Sequence, residues 1–106
     1  MSEFGGVDRV SIDGLDFEWH PDKANSNLKK HGVSFEEAKT ILGDPRALIV
    51  PDQEHSEAEF RFLSIGRSDS GRLITMCFTE RENRIRIISA RLSERWEGRE
   101  YETGNE

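Results

Sequence analysis

The sequence predicts a single α+β domain in which helices pack on one face of a twisted antiparallel sheet. The first observation is length, because 106 residues suffice for one hydrophobic core but not for two. The second is periodicity. Several short segments alternate apolar and polar residues, as half-buried strands do, and others carry the start and stop residues of helices. We expect the element order β-α-α-β-β-β-β-α.

The N-terminal half predicts one strand, two helices and a short second strand. Residues 15–20 alternate apolar with polar side chains, which indicates a strand with one apolar face. A helix follows from Pro21, which suits a first helical turn, to Gly32, which suits the position just past a helix end. The segment 34–43 opens with a serine–glutamate capping box and ends in glycine, so it predicts a second helix. The apolar residues 47–50 predict a short strand.

The C-terminal half predicts a three-stranded meander followed by a helix. Strands are expected at residues 60–67, 72–79 and 85–91, because turn-prone residues separate them. Residues 91–101 contain no β-branched side chain, and this stretch predicts the last helix.

The sequence also predicts a mobile N-terminal extension and no contact with a membrane. Residues 1–14 contain three glycines and no periodic apolar pattern, so we expect a mobile extension ahead of one domain over residues 15–106. No apolar stretch approaches the roughly 20 residues that a bilayer span needs. The first residues lack the basic flank and apolar run of a secretory signal. We therefore expect a cytoplasmic protein with no membrane contact.

Charge is distributed unevenly along the chain. The net charge of −6 argues against a protein that binds nucleic acid through bulk positive charge alone. Residues 1–60 carry 13 acidic and 6 basic side chains, whereas residues 61–99 carry 9 basic side chains, all arginine, and 5 acidic ones. The planar guanidinium matches phosphate bidentately, so the second segment is a candidate phosphate-binding region. The alternative is a set of surface arginines paired with neighbouring glutamates.

Strand alternation places a carboxylate and two guanidiniums on the sheet face opposite the helices, which we call the open face. If Phe60 and Phe62 turn towards the helices, Glu59 and Arg61 point to the open face. The same alternation in the last strand sends Arg86, and with it Ile88 and Ala90, to this face. A carboxylate beside two guanidiniums could bind a phosphate and transfer a proton. The alternative is a cross-strand salt bridge on a solvated face.

A series of sequence blocks resembles the BrnT toxin family. The blocks stand in the family's order between Phe17 and Tyr101, and they are FEWHPDKANSNLKKHGVSFEEA, DP, HSEAEFRFLSIG, GRLITMCFTER and RIISAR. The resemblance implies a RelE-like ribonuclease fold. It also implies a toxin of a type II toxin–antitoxin system that cuts RNA and so inhibits translation and growth.

The same resemblance implies the partners. The expected partners are substrate RNA and a BrnA-type antitoxin with a ribbon-helix-helix DNA-binding domain. We expect a heterotetramer that contains two toxins and reaches operator DNA only through the antitoxin.

Two positions depart from the family pattern. His20 stands where the family usually has an Asp that is expected to cap the first helix, and His is a poorer N-cap. Phe60 stands where the family commonly has an acid directly before the residue matching Arg61, and Glu59 lies one position further back. These departures favour an alternative function, in which a catalytically silent relative serves as an antitoxin-binding or regulatory module.

Candidate catalytic residues follow from the chemistry of metal-free RNA cleavage, in which the 2′-hydroxyl attacks the adjacent phosphate. No cluster in the sequence has metal-ligand spacing, so we expect no metal or other cofactor. Arg61 and Arg86 are candidates for stabilising the charge on phosphorus. Arg91 is a third candidate, provided that a bulge or the start of the last helix turns it away from the helices. Its alternative role is a salt bridge that ties the sheet to that helix.

Glu59 and His31 are competing candidates for the acid–base role. Histidine titrates nearest neutral pH, which favours His31 chemically. Its position just before Gly32 also suits a structural role, in which the imidazole bonds the last carbonyls of the first helix.

Three further side chains are candidate RNA contacts. Lys23 could contact phosphate as a point charge, and its alternative is a solvated surface lysine. Trp19 could stack on a base, and its alternative is a place in the core. Arg95, on the arginine-bearing face of the last helix, is the third candidate.

Overall fold

The computed structural model describes residues 8–12, 14–52 and 59–104 of the chain. The elements are β1 (Asp8–Ile12), β2 (Leu15–Trp19), α1 (Pro21–His31), α2 (Phe35–Ala38), a 3-10 helix (Lys39–Gly43), β3 (Leu48–Pro51), β4 (Arg61–Arg67), β5 (Leu73–Arg81), β6 (Arg84–Leu92) and α3 (Arg95–Thr103). None of the helices in these three ranges is long and apolar enough to cross a membrane.

The strands form one mixed sheet in the order β1-β2-β6-β5-β4-β3. All neighbouring pairs are antiparallel except β2 and β6, which run parallel. The α+β class is therefore confirmed, whereas the prediction of an antiparallel sheet is wrong for this one pair. No hairpin fixes the relative direction of β2 and β6, because helices and three strands lie between them in the chain.

Strand β1 adds an element that the predicted order lacked. It pairs antiparallel with β2 after a turn at Gly14, whose φ is +82°. Residues 8–12 thus belong to the sheet, although the sequence analysis set residues 1–14 apart from the domain. The reason is that strand pairing uses backbone groups and does not require an apolar period. Residues 1–7 lie outside the described part of the chain.

The starts of the first two predicted helices are capped by side chains. His20 is the N-cap of α1, and its Nδ1 accepts a hydrogen bond from the backbone N–H two residues on, at 3.1 Å. Gly32 ends this helix with φ +69°, and its N–H donates to the carbonyl of Leu28 at 2.9 Å. Ser34 Oγ accepts from the Glu37 N–H at 3.0 Å, as the capping box predicts.

Helices α1 and α2 cover one face of the sheet and α3 lies on the other. The core lies beneath α1 and α2 and includes Phe17, Phe35, Ile41, Met76, Phe78 and Ile87. On the open face α3 contacts β4, where Ile65 is buried, and Gly98 of α3 lies beside Leu73. The prediction that all helices share one face is therefore wrong for α3. Strand alternation also sends apolar side chains to the open face, and α3 covers them there.

Candidate active site

A row of polar side chains crosses the open face. Arg61 of β4 pairs with Thr79 of β5, which pairs with Arg86 of β6, and Arg86 pairs with Glu18 of β2. Directly paired residues project to the same side of a sheet. Arg61 and Arg86 are two strand spacings apart, which corresponds to about 10 Å between their backbones. Oε1 of Glu59 lies 3.4 Å from Nη2 of Arg61, so the structure brings the predicted carboxylate and both guanidiniums to one face.

Phe60 does not occupy its predicted place against the helices. Its side chain is 61% exposed, because β4 begins at the next residue and Phe60 lies outside the alternation. It contacts Phe62 with ring centroids 5.2 Å apart, and Phe62 packs against the core as predicted.

Glu18 is a site residue that the sequence analysis missed. Its side chain is only 2% exposed, and Oε2 lies 3.7 Å from Nη1 of Arg86 while Oε1 lies 4.0 Å from Nη1 of Arg84. Alternation alone turns Glu18 away from the core, but the identity of its neighbours depends on the pairing of β2 with β6. The buried carboxylate is placed to orient the guanidinium of Arg86.

A β-bulge in β6 reverses the alternation near the end of the strand. Cys77 pairs with Ser89, but the next residue of β5 pairs with Ile87, which leaves Ile88 as the extra residue. Ala90 consequently faces the core and is 2% exposed, so its predicted place on the open face is wrong. The amide of Asn27 holds this position from α1, since it bonds both the carbonyl of Ala90 at 2.7 Å and the N–H of Ala90 at 3.1 Å.

The bulge turns Arg91 to the open face, where it meets α3. Its Nη1 and Nη2 donate to Oε1 and Oε2 of Glu97 at 2.6 and 3.0 Å. The hydrogen bonds to Glu97 raise the pKa of Arg91. Burial of Glu97 opposes its ionisation, but the bonds from Arg91 and from the Glu94 N–H hold the pKa of Glu97 below its ordinary value. Arg91 therefore forms the salt bridge from the sheet to the last helix that was its alternative role. It also faces the same side of the sheet as Arg61 and Arg86.

Two of the clefts formed by the described residues contain arginines of this row. The first, which we call the α1 cleft, has a volume of about 300 Å³ and is lined by His20, Lys23, Glu59 and Arg86, among others. Lys23, the predicted phosphate contact, thus shares a cleft with two predicted catalytic residues. The bulge residue Ile88 lines this cleft and also the second one.

The second cleft lies between the open face and α3, and we call it the α3 cleft. It has a volume of about 480 Å³, and its lining includes Asp52, Arg61, Arg91 and Trp96. Asp52 is a buried carboxylate that the sequence analysis did not single out. Burial and the neighbouring Asp52 raise the pKa of the Cys77 thiol to about 11, which favours an inert side chain at this wall.

Three predicted site residues lie away from the clefts or have no accessible face. Trp19 is 2% exposed and packs edge-on against Phe35 at 6.0 Å, so the prediction that it stacks on RNA is wrong and its core alternative holds. His31 ends α1 about 12 Å along the helix axis from Lys23, and it is not among the described residues that line either cleft. Arg95 is exposed at the start of α3 and is likewise absent from the described linings.

The described ranges contain no group of three His, Cys, Asp or Glu side chains that could hold a metal ion. His55, which lies in the polar link between β3 and β4, falls outside those ranges.

Residues 19–97 match the family model described as BrnT, the ribonuclease toxin of a type II toxin–antitoxin system. The crystal structure of the Brucella abortus ribonuclease toxin BrnT aligns with a TM-score of 0.57 and 24% identity, over 73% of this chain and 94% of that one. This likeness shows a shared fold. No curated protein matches the sequence. Because the family model spans most of the chain, the protein belongs to the BrnT family of ribonuclease toxins of type II toxin–antitoxin systems.

Proposed function

We propose that the protein is a metal-free endoribonuclease toxin whose open face binds the RNA backbone. The observation that carries the proposal is the arrangement of Arg61, Arg86 and Arg91 on this face, with Glu59 beside the first of them. Guanidiniums bind phosphate oxygens and stabilise the negative charge that develops on them during transfer. The family supports RNA as the substrate.

The proposed reaction is in-line attack of a 2′-hydroxyl on the adjacent phosphate. A base removes the hydroxyl proton, the new bond from the 2′-oxygen to phosphorus forms, and the bond to the 5′-oxygen breaks as an acid protonates that oxygen. The products are a 2′,3′-cyclic phosphate and a 5′-hydroxyl. Glu59 is the proposed proton-transfer group, since it contacts Arg61 and lines the α1 cleft together with Arg86. His31 is not proposed for this role, because it lies at the far end of α1.

The cellular role is proposed from the family. A type II toxin acts with an antitoxin, and we propose a BrnA-type antitoxin with two toxins in the heterotetramer and operator DNA bound through the antitoxin. We further propose a RelE-like relationship of the fold, a cytoplasmic location and growth arrest through inhibited translation.

One observation favours a second candidate function. Phe60 stands where an acid is expected to precede Arg61. Its side chain is exposed and has no group that could transfer a proton. If Glu59 does not replace that acid, the chain is a silent relative that binds the antitoxin without cutting RNA.

The deciding experiment is growth after tightly induced expression of the wild type, Arg61→Ala and Arg86→Ala, with protein levels checked. Arg84→Ala is the matched control, because Arg84 lies on the same strand and face as Arg86 and its side chain is equally exposed at 24%. It is not among the described residues that line either cleft. We expect arrest by the wild type and Arg84→Ala, and growth with the other two variants.

Cleavage of RNA by purified protein with EDTA present tests the metal-free mechanism. Continued cleavage with 2′,3′-cyclic phosphate ends supports it, and complete loss on adding EDTA overturns it. Abundant, folded wild-type protein that neither arrests growth nor cuts RNA would establish the silent module.

A further inference from the structure

We propose that Trp96 is a stacking platform for an RNA base in the α3 cleft, beside a phosphate bound by Arg61 and Arg91. This inference rests on the proposed ribonuclease function and adds a binding residue to it. The α3 cleft then receives a nucleobase of the substrate and not only its sugar-phosphate backbone.

The first support is the exposure of Trp96. Its side chain is 50% exposed on α3, whereas Trp19, the other tryptophan, is 2% exposed in the core. The contacts that seat α3 come from other residues of the helix: Tyr101 donates a hydrogen bond to Asp44 at 2.7 Å, and Gly98 lies beside Leu73. The packing of α3 therefore leaves about half of this large aromatic side chain uncovered.

The second support is the orientation of the ring. Nε1 of Trp96 donates a hydrogen bond to Oε2 of Glu94 at 3.1 Å. This bond lies at the ring edge, so it restrains the indole and satisfies its polar group without covering an aromatic face. A restrained aromatic face loses little conformational entropy when a base stacks on it.

The third support is what shares the cleft with the ring. Arg61 and Arg91 line the same cleft of about 480 Å³, a volume within the range of about 300–1,000 Å³ common for small-ligand sites. Bidentate bonds to Glu97 fix the guanidinium of Arg91. An aromatic face next to guanidiniums is the combination that single-stranded nucleic acid sites use, because bases stack while cations contact the backbone.

The family supports RNA as the occupant, and guanidiniums near Trp96 can supply its phosphate contacts. Arg95 and Arg99, one residue before and three residues after Trp96 on α3, are both exposed. Arg61 and Arg91 line the same cleft, but so do Asp52 and Glu97, and Glu94 bonds the ring. The guanidiniums therefore act as individual phosphate contacts rather than through a net positive charge.

The test is binding of a short single-stranded RNA whose 2′-hydroxyls are methylated, so that it cannot be cleaved. Wild type, Trp96→Phe and Trp96→Ala are compared by fluorescence anisotropy of the labelled RNA and by intrinsic tryptophan emission. We expect Trp96→Ala to bind about 5- to 100-fold more weakly, and Trp96→Phe to lose less affinity because it keeps an aromatic face. RNA should quench the wild-type emission, and this quenching should vanish in Trp96→Phe, which retains only the buried Trp19.

A matched RNA ligand distinguishes the contribution of base stacking to the affinity from that of the phosphate charges. An RNA of the same length with abasic sites keeps its phosphates but has no base to stack, so wild type and Trp96→Ala should bind it equally. Equal binding of the intact RNA by wild type and Trp96→Ala, alongside RNA cleavage by the wild type, overturns the inference and leaves the ribonuclease function standing.

A wild type that neither binds nor cleaves RNA overturns both proposals. If Trp96→Ala keeps its RNA affinity but no longer binds the proposed antitoxin, the ring belongs to a protein interface and the inference is wrong.

Discussion

Arg91 and Glu97 join the last strand to the last helix by two parallel hydrogen bonds of 2.6 and 3.0 Å. The two ends of this ion pair differ in accessibility, because the side chain of Glu97 is fully buried while that of Arg91 is 35% exposed. The pair thus performs two tasks. It anchors α3 on the open face, and it fixes the guanidinium of Arg91 at the wall of the α3 cleft.

The unequal burial predicts unequal costs of removing each partner. Arg91→Met leaves a buried carboxylate without its cation and should lower the free energy of unfolding at pH 7 by about 3 kcal/mol. Glu97→Gln leaves a guanidinium that water can reach, so the loss should be about 1–2 kcal/mol. Urea denaturation of both variants measures the difference. Equal losses, or a larger loss for Glu97→Gln, would show that water already reaches the carboxylate.

The faces of the last strand were predictable from the sequence as far as Ile87 and no further. Alternation correctly sends Arg61 and Arg86 to the open face, because it depends only on local backbone geometry. The bulge after Ile87 depends on how β6 pairs with β5 and is held by Asn27 from α1, 63 residues away from Ala90. Such a contact leaves no local pattern in the sequence. The sequence analysis could therefore name a bulge as a requirement for the outward turn of Arg91, but it could not predict that the bulge exists.

Other parts of the site could not be predicted either, because they also depend on contacts between elements that are distant in the sequence. Glu18 meets Arg86 only because β2 and β6 run parallel side by side, and no hairpin signals that pairing. Trp96 faces the arginines only because α3 lies on the open face, whereas the prediction placed every helix on the other side. Elements with local signals, such as the capped start of α2 at Ser34, were predicted correctly.

Glu18→Gln tests whether the buried carboxylate orients Arg86. The substitution keeps the side-chain volume and removes the charge that lies 3.7 Å from the guanidinium. If RNA is cleaved as proposed, we expect kcat to fall about tenfold with little change in KM, because a misplaced cation stabilises the transition state less well. The readout is single-turnover cleavage of RNA, together with a melting temperature that excludes unfolding.

Asp16→Asn is the control for this variant. Asp16 lies two residues earlier on the same strand, projects to the same side and is exposed. We expect unchanged cleavage, since its register partner is Arg84 rather than Arg86. A similar loss in both variants would assign the effect to net charge and remove Glu18 from the positioning role.

Glu37 should give the fold a measurable dependence on acid pH. Its carboxylate accepts hydrogen bonds from Nε of Arg72 at 2.9 Å and from Oγ of Ser68 at 2.7 Å, which ties α2 to the β4–β5 hairpin. The hydrogen bond from Arg72, followed by those from the serines, lowers the pKa of Glu37 to about 2 against the opposing effect of burial. Because the folded-state pKa lies below the unfolded value of about 4.3, this stabilisation is present above that value and is lost as pH falls towards 2.

The measurement is urea denaturation of wild type and Glu37→Gln at pH 7 and pH 2.5. At pH 7 the variant should be less stable by about 1 kcal/mol, a figure reduced for the solvent that reaches this pair. At pH 2.5 the difference should shrink towards zero. Glu36→Gln removes the neighbouring exposed carboxylate, which bonds Lys39 at 3.0 Å, and should show no comparable change with pH. A Glu37→Gln difference that stays constant between the two pH values would refute the ionic contribution.

Replacing the N-cap residue of α1, His20, with aspartate should raise the stability of the protein. Nδ1 of His20 accepts the backbone N–H of Asp22 at 3.1 Å, so this histidine does fill the capping position. Asp and Asn are better N-caps than most residues, and a carboxylate also interacts favourably with the helix N-terminus. We expect His20→Asp to stabilise the protein by about 0.5–1 kcal/mol and His20→Ala to destabilise it by a similar amount.

His20→Asn separates the two contributions to that gain, because it supplies a capping oxygen without a charge. Lys23, Arg81 and Arg86 line the α1 cleft together with His20, so a carboxylate at this position should also gain from their positive charge. The expected order of melting temperatures is therefore Asp above Asn, Asn above the wild type, and Ala lowest. Should His20→Ala melt at the wild-type temperature, the imidazole bond contributes nothing to α1, and histidine in place of the expected aspartate would carry no cost in stability.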